Sequence, residues 1–286
     1  MSLALVVGPA AEPISLAEAK RHLRIDDTSS DTHVAALIMA ARDHVETYCR
    51  RALITRTLDW RLDHFPASGS LYLPSPPLRS VTSITYVDTA GATQTWTSTL
   101  WTSDIYSEPG RIQPAYGEVW PSTREQPNAA TIRFKAGYAT KFTATAADDI
   151  LTAAGHVLAT GDLTRLYMSG PESVAATSSV AAVGAAALPA GLAENTDYYA
   201  VTVVAATSTK LSLTSGGAAV DITGAGTGTG SQFYLGVIPR PILDAMLLML
   251  THWYENRGPV NIGNIVNEIP MSARALLSPY RVLTFG

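Results

Sequence analysis

The spacing of apolar residues changes twice along the chain, from a helical period to a period of two and back again. Near the start, SLAEAKRHLRI has Ser15 followed three residues later by Glu18, which is the capping-box pattern of a helix N-terminus. Over residues 32–51, apolar side chains recur every three or four positions, and Arg42 and Glu46 fall on the opposite, polar side. The sequence therefore predicts two amphipathic helices in this region.

From Leu58 onward the alternation has a period of two and predicts a small antiparallel sheet. The strand-like runs are DWRLDHF, SLYL, RSVTSITYV, ATQTWT and NAATIRFKAGY, with prolines and glycines between them. Helical spacing returns after Pro239 and Pro241 in ILDAMLLMLTHWYEN, which is apolar almost all round and is therefore expected to be covered on several sides. A last short helix, MSARALL, is predicted to stop before Pro279.

Residues 140–236 differ from the rest of the chain in composition. They are rich in Ala, Thr, Gly and Ser, and they hold three basic and seven acidic residues, a net charge of -4, so the other residues carry 17 of each sign. Short strand-like runs, DYYAVTVVAA, KLSLTS, AAVDIT and SQFYLG, alternate with glycine-rich turns. We predict an α+β protein in which residues 1–139 and 237–286 form one core and residues 140–236 are an inserted all-β domain.

Charge and apolar run length limit the classes of partner. Hydrophobic residues make up 47% of the chain and charged residues 15%, and the sequence pI is about 5.8. Such a surface has no basic excess to neutralise a phosphate backbone, so tight sequence-independent DNA binding is not expected. No apolar run reaches the ~20 residues of a spanning helix, which predicts a protein without a membrane anchor. The single cysteine, Cys49, lies on an apolar helical stripe and is expected to be a buried thiol.

The segment HWYENRG, residues 252–258, contains the main candidate for reaction chemistry. His252 and Glu255 are three residues apart on a predicted helix and could share a metal ion, but a second carboxylate and histidine pair at matched spacing is absent from the sequence. The motifs G-x-S-x-G, H-E-x-x-H and C-x-x-C are absent as well. We therefore expect no catalytic residue, cofactor or metal, and we keep a metal-dependent hydrolase as an alternative.

The order of these segments resembles the head-tail connector (adaptor) family of tailed bacteriophages and related prophages. The resemblance is carried by EPISLAEAKRHLRI, HVETYCRRALITRTLDWRLDHFP, LYLPSPPLRSVTSITYVD, IRFKAGY, IPRPILDAMLLMLTHWYENRG and LLSPYR, and it covers residues 12–139 and 237–286. In that family the proline-led helix follows FKAGY within a few residues. Here about a hundred residues intervene, and this departure supports an insertion.

The resemblance implies a structural virion protein without enzyme activity. It implies a homo-oligomeric ring, commonly of twelve copies, that binds beneath the portal protein, continues the DNA channel and provides the platform for tail attachment. The expected partners are the portal, a downstream neck or tail protein, and genomic DNA that passes without sequence-specific binding. The expected location is the neck of a virion assembled in a bacterial cytoplasm. Another neck, tail-completion or tail-tip protein with a binding β domain is the alternative within this class.

The same resemblance points to two groups of contact residues near the end of the chain. The expected subunit-packing residues are Trp253, Tyr254 and Arg257. The expected contacts with the portal or a neighbouring subunit are Tyr280, Arg281 and Phe285.

Overall fold

A computed structural model describes residues 1–9, 11–156, 158–168, 188–193, 196–205, 207–224, 226, 233–256 and 271–283. The chain divides into two compact units. The first consists of Met1–Pro9 and Thr55–Tyr138, and the second of Ala10–Ile54 and the described part of Ala139–Gly286.

The first unit is built from two antiparallel sheets. A five-stranded sheet has the strand order β1-β2-β8-β4-β5, and a three-stranded sheet has the order β3-β7-β6. The strands are β1 (Ser2–Val7), β2 (Arg56–Leu62), β3 (Leu71–Tyr72), β4 (Leu78–Val87), β5 (Thr93–Trp96), β6 (Trp101–Asp104), β7 (Arg111–Pro114) and β8 (Ala130–Ala136).

The period of two in the sequence gives the larger sheet one apolar and one polar face. Along β8, Ile132 and Phe134 are buried while Arg133 and Lys135 are exposed. On the polar face Arg133 donates to Asp59 of β2 in a bidentate pair, with Nε to Oδ1 at 2.7 Å and Nη2 to Oδ2 at 2.8 Å. This pair links the two central strands.

The apolar face is covered in part by a cluster of aromatic rings. Phe65 stacks on Trp120, with ring centroids 5.1 Å apart and planes inclined by 18°. Trp96 of β5 lies 5.1 Å from Trp120 and 6.2 Å from Phe65. These three side chains are buried, so the cluster is part of the core of the first unit.

The helices of the second unit agree closely with the sequence prediction. Ser15 Oγ accepts a hydrogen bond from the Glu18 amide at 3.2 Å, which confirms the predicted N-cap. The expectation that the apolar helix is covered on several sides is also confirmed, because seven of its sixteen residues are buried. The helices are α1 (Leu16–Leu23), α2 (Asp31–Cys49), α3 (Arg240–Glu255) and α4 (Met271–Leu277). No helix in the described part of the chain is long and apolar enough to cross a membrane.

Six further strands close into a barrel with the order β10-β13-β12-β11-β14-β9. Its interior is filled by the apolar residues Phe142, Leu151, Ala153, Leu166, Leu192, Tyr198, Leu211, Ile222 and Leu235. The strands are β9 (Ala139–Thr145), β10 (Ile150–Thr152), β11 (Leu163–Met168), β12 (Tyr198–Val204), β13 (Ser208–Ser212) and β14 (Phe233–Gly236). Ala139 at the start of β9 lies opposite Gly236 at the end of β14, so the chain enters and leaves the barrel at one place.

One predicted strand of the barrel is wrong. The run AAVDIT, residues 218–223, forms no strand, although its backbone is hydrogen-bonded. The Val220 amide donates to Leu211 O, and the Ile222 amide donates to the Asp149 carboxylate at 2.7 Å. The segment passes so close to Gly191, whose φ is +99°, that a Cβ there would meet Asp221 O at 2.1 Å. Alternating hydrophobicity therefore reflects burial of Ile222 here and not strand pairing.

The predicted α+β class is confirmed, with four helices and several antiparallel sheets in the described part of the chain. The barrel occupies the segment predicted as an all-β insertion. The division into domains at 1–139, 140–236 and 237–286 stays a prediction, because a separable domain is a statement about folding and not about strand order alone.

Candidate assembly surface on the helices

The end of α3 packs against α2 through aromatic side chains. Tyr254 donates from its hydroxyl to Ser30 Oγ at 3.3 Å, and its ring lies 6.0 Å from the imidazole of His33. Trp253 turns to the other end of α2, where its ring meets His44 edge-on at 6.3 Å. Both aromatic residues are half-buried. They hold α3 to α2 within the chain, and their predicted role between subunits stays a prediction.

The segment after α4 is fixed to the end of α2 by backbone and cation contacts. Arg51 donates from Nε to Tyr280 O at 2.6 Å, and the Val282 amide donates to Cys49 O at 3.0 Å. The Arg281 guanidinium lies over the Tyr48 ring, 5.5 Å from its centroid. Two of the predicted portal-contact residues therefore sit together at one end of α2.

Cys49 is fully buried at this point, as the sequence predicted. Its Sγ lies 3.8 Å from Leu277 O of α4. Burial raises the pKa of the thiol to about 11, and the nearby Arg51 and Arg281 lower it by less. A thiol in this environment stays protonated at neutral pH, so Cys49 is a packing residue and not a nucleophile.

Two charged residues of α2 that the helical pattern assigned to the polar side are buried instead. Arg42 donates from Nε to Glu12 Oε2 at 2.8 Å, and its Nη1 lies 3.4 Å from Glu46 Oε2. Glu46 accepts from the Leu53 amide at 2.8 Å. Arg42 thus joins the segment before α1 to α2, and Glu46 joins α2 to the chain that leaves it. The helical pattern placed Arg42 and Glu46 on the polar side of α2 but did not indicate that they are buried. Arg42 pairs with Glu12, thirty residues away, and Glu46 accepts from the Leu53 amide just beyond the helix.

A groove of about 320 Å³ lies between α1, α3 and β11. Arg240 Nε pairs with Asp244 Oδ1 at 2.8 Å, its Nη1 lies 3.9 Å from Glu18 Oε1, and Arg165 is paired with Asp197. The first pair lies within α3, the second joins α3 to α1, and the third lies within the barrel segment. The groove is lined by Glu18, Arg21, His22, Arg165, Arg240 and Leu247.

His252 and Glu255 do not form a recognisable metal centre. The His252 carbonyl accepts from Asn256 Nδ2 at 2.9 Å, which closes the end of α3, and Glu255 is exposed. Across the described residues, no three or more His, Cys, Asp or Glu side chains are grouped so that they could hold an ion. The geometry therefore gives the hydrolase alternative no support.

Two of the predicted contact residues, Arg257 and Phe285, lie outside the described residues. Of the remaining four, Trp253 and Tyr254 lie along α2, and Tyr280 and Arg281 lie at its C-terminal end. Helix α2 is thus the element on which both predicted groups meet, and the sequence alone gave no indication of this.

Comparison with known proteins supports the resemblance drawn from the sequence. Residues 13–90 match the sequence model of the family described as "Phage gp6-like head-tail connector protein". No curated protein matches the chain significantly.

Three solved structures of gene transfer agent (GTA) particles contain a chain with a similar fold. They are the virion of the native particle (TM-score 0.54), the neck of the empty particle computed with C6 symmetry (0.52) and the neck of the native particle computed with C12 symmetry (0.51). In each case the match is 17% identical and covers 99% of this chain and 97% of the other. At this identity the likeness establishes the fold, and it extends through the barrel.

The matched segment contains α1, α2 and the first strands that follow them, so it includes Arg42, Glu46 and Cys49. The family is one of structural connectors and not of enzymes, as the sequence analysis expected. Residues 13–90 of the chain are therefore similar in sequence to the Phage gp6-like head-tail connector family.

Proposed function

We propose that this protein is the head-tail adaptor of a phage or phage-like particle. Copies of it form a ring beneath the portal, continue the DNA channel and carry the next neck or tail protein. Twelve is the expected number of copies. The observation that carries this proposal is the family match over residues 13–90.

The fold supports the same role over the whole chain. The similar chains belong to a GTA virion and to GTA necks computed with C6 and C12 symmetry, and the aligned region includes the barrel. Outside residues 140–236 the chain carries equal numbers of basic and acidic residues. A surface of this kind suits a conduit, because strong attraction to the phosphate backbone would retain passing DNA.

We assign the subunit contacts to the α3 end, residues Trp253, Tyr254 and Arg257, and the portal or neighbour contacts to Tyr280, Arg281 and Phe285. Trp253 and Tyr254 are half-buried against α2, so part of each ring is available to a second chain. Aromatic residues and arginine are the residue types enriched at the centres of protein interfaces.

Electron microscopy of the purified protein tests the ring directly. We expect closed rings of one rotational symmetry, and Trp253→Ala should reduce their number while Tyr72→Ala, an exposed aromatic of the first unit, serves as the matched control. Monomers at every concentration, with the purified portal present or absent, would contradict the proposal.

The alternative within the same class is a tail-completion or tail-tip protein. Labelling intact particles with an antibody against the barrel separates the two roles, because an adaptor must lie between head and tail. Label found at the distal end of the tail would favour the alternative.

A further inference from the structure

The first strand, β1, is an exposed apolar edge of the five-stranded sheet. Five of its six residues are apolar, and Leu3, Leu5 and Val7 have exposed fractions of 44%, 58% and 57%. Natural edge strands usually carry a charge or a proline that prevents pairing with another chain, and β1 has neither. An unprotected edge of this kind indicates a protein contact.

The side chains of Leu3 and Leu5 in β1 extend the apolar face of the sheet as far as its edge. Leu3 lies opposite Trp60 and Leu5 opposite Leu58. Leu58 in turn lies opposite the buried Phe134. In antiparallel strands, opposite residues point to the same face, so Leu3 and Leu5 extend the face that is the core of the first unit. A further strand beside β1 would cover them.

The other edge of the same sheet, β5, offers a matching partner. Its sequence, TQTW, carries no charged residue, and Thr93, Gln94 and Thr95 are exposed. In the described part of the chain, β5 pairs with β4 alone and β1 with β2 alone. The regular part of β1, residues 2–5 before the register shift, is four residues long, and so is β5.

We propose that β1 of one subunit pairs with β5 of the next, so that the sheet continues from copy to copy. This inference rests on the proposed ring. A ring needs two different surfaces on each subunit that fit one another, and the two edges of one sheet meet that requirement. Neither edge carries a charge, so no like-charge repulsion opposes the pairing.

The strand directions fix the geometry of this contact. Four antiparallel steps separate β1 from β5, so the two strands run in the same direction. Rotation about a ring axis preserves direction, and β1 therefore pairs with the neighbouring β5 in parallel. A two-fold dimer would instead bring β1 against β1 in the antiparallel sense.

The strand spacing sets the size of the proposed ring. Five strands at ~4.8 Å advance the sheet by about 24 Å per copy, so twelve copies would close a circle about 90 Å across. That circle leaves room for a DNA duplex at its centre. The register shift between Leu5 and Val7 restricts the pairing to a few residues, and such bulges allow a strand to bend.

Disulfide cross-linking tests the pairing. Ala4 and Thr95 point to the polar face of the sheet, because Ala4 lies opposite Asp59 and Thr95 opposite Thr85, which faces Thr131. We expect the double variant Ala4→Cys with Thr95→Cys, or with Thr93→Cys if the register is shifted by two, to give a ladder of linked multimers on oxidation. The native Cys49 is buried and should not interfere.

The single variants are the controls for this experiment. Ala4→Cys alone should give no linked species, because β1 does not meet β1 in the proposed ring. Linked dimers from Ala4→Cys alone, or no multimers from either double variant in protein that has assembled, would overturn the inference.

Charge at the edge provides an independent test. Leu3→Lys with Leu5→Lys should raise the concentration at which half of the chains are assembled by at least about tenfold, a cost of about 1.4 kcal/mol. Leu213→Lys, at a barrel residue with an exposed fraction of 59%, is the matched control and should leave assembly unchanged. The urea midpoint of each variant shows whether the fold is intact.

The outcomes separate this inference from the proposed function. Wild-type protein that never assembles would reject the ring, and the edge pairing with it. Wild-type rings that form equally well with lysine at positions 3 and 5 would reject the edge pairing and leave the ring in place.

Discussion

Helices α1 and α2 of the second unit bury Arg and Glu side chains, whereas the described residues of the barrel bury no Arg, Lys, Asp or Glu. Arg42, Glu46 and Glu18 are among the buried residues of the helices, and Arg42 joins segments that are thirty residues apart. The barrel is filled by aliphatic and aromatic side chains. The stability of the helices thus depends on particular ion-pair partners, while the stability of the barrel depends on the total volume of the apolar side chains in its interior.

This difference bears on how the two regions tolerate substitution. A buried guanidinium needs both its carboxylates, so its neighbours cannot change independently. An apolar interior accepts exchanges of similar volume at a cost below ~1.5 kcal/mol. Helices α1 and α2 lie within the matched family segment, whereas α3, α4 and the barrel lie outside it. Four experiments test the comparison, from the largest expected effect to the smallest.

Arg42→Ala should lower the free energy of unfolding by about 3–5 kcal/mol, because it leaves the buried carboxylate of Glu46 and the half-buried carboxylate of Glu12 without their cation. Urea denaturation followed by circular dichroism measures the change. The control is Asp43→Ala, which removes a third carboxylate near the same guanidinium, but one with an exposed fraction of 67%. If Arg42→Ala and Asp43→Ala lowered the free energy of unfolding equally, the buried ion pairs would contribute no more to stability than the exposed one.

Leu211→Ala should cost about 2–5 kcal/mol in the barrel, through lost burial and the cavity left behind. All five tryptophans lie outside residues 139–236, so hydrogen exchange of barrel amides is the suitable measurement. Leu213→Ala, two residues away and exposed, is the control. If Leu211→Ala reduced the protection of helix amides by the same amount, the two regions would unfold as one and the comparison would fail.

Alkaline pH should destabilise the helices before the barrel. Burial raises the pKa of Cys49 in α2 from 9.0 to about 11, and burial raises that of Tyr167 in β11 from 10.0 to about 12. In both cases the folded state holds the proton more tightly than the unfolded state does. The protonated group therefore stabilises the fold fully at pH values below its pKa in the unfolded state, and this stabilisation is lost as the pH rises through its pKa in the folded state. For Tyr167 the loss is about 2–3 kcal/mol by pH 12.

Hydrogen exchange at stepped pH, corrected for the intrinsic exchange rate, measures where each region weakens. Cys49→Ala should remove the pH dependence between 9 and 11 in the helices, and Tyr167→Phe that between 10 and 12 in the barrel. If the barrel amides of Tyr167→Phe lost as much protection between pH 10 and 12 as those of the wild type, this tyrosine would not be the cause of the loss.

The smallest expected effect concerns the helix N-caps. Ser15→Ala should cost about 1 kcal/mol, because Ser15 Oγ accepts from the Glu18 amide. Ser30 precedes α2 but makes no side-chain cap hydrogen bond, and its Oγ instead accepts from Tyr254. We therefore expect Ser30→Ala to cost less than Ser15→Ala in thermal unfolding. A larger loss of stability from Ser30→Ala would mean that the hydrogen bond from Tyr254 stabilises the protein more than the Ser15 N-cap does.

The helices could be predicted because their signals are local. The Ser15 cap, the spacing within α2 and the prolines at the start of α3 each lie within a few residues of the feature they determine. The burial of Arg42 could not be predicted, since Glu12 is thirty residues away and nothing in a helical pattern brings it near. The packing of Trp253 on His44 is likewise a long-range contact.

The strands show the same limit. In the barrel, β12 and β14 were predicted from β-branched and aromatic residues, whereas β9, with the sequence ATKFTAT, has too few apolar residues to stand out. The first strand was missed because SLALVV is a continuous apolar run, which does not distinguish a strand from other buried structure. Its edge position depends on β2, more than fifty residues later.

The backbone of Ala139 faces that of Gly236 across one antiparallel pair, where Cα atoms are ~5 Å apart. Any compact module whose own termini are that close could be grafted at this point without stretching either flank. The junction thus offers a place for displaying an enzyme or an epitope on such particles, with the helices left to assemble as before.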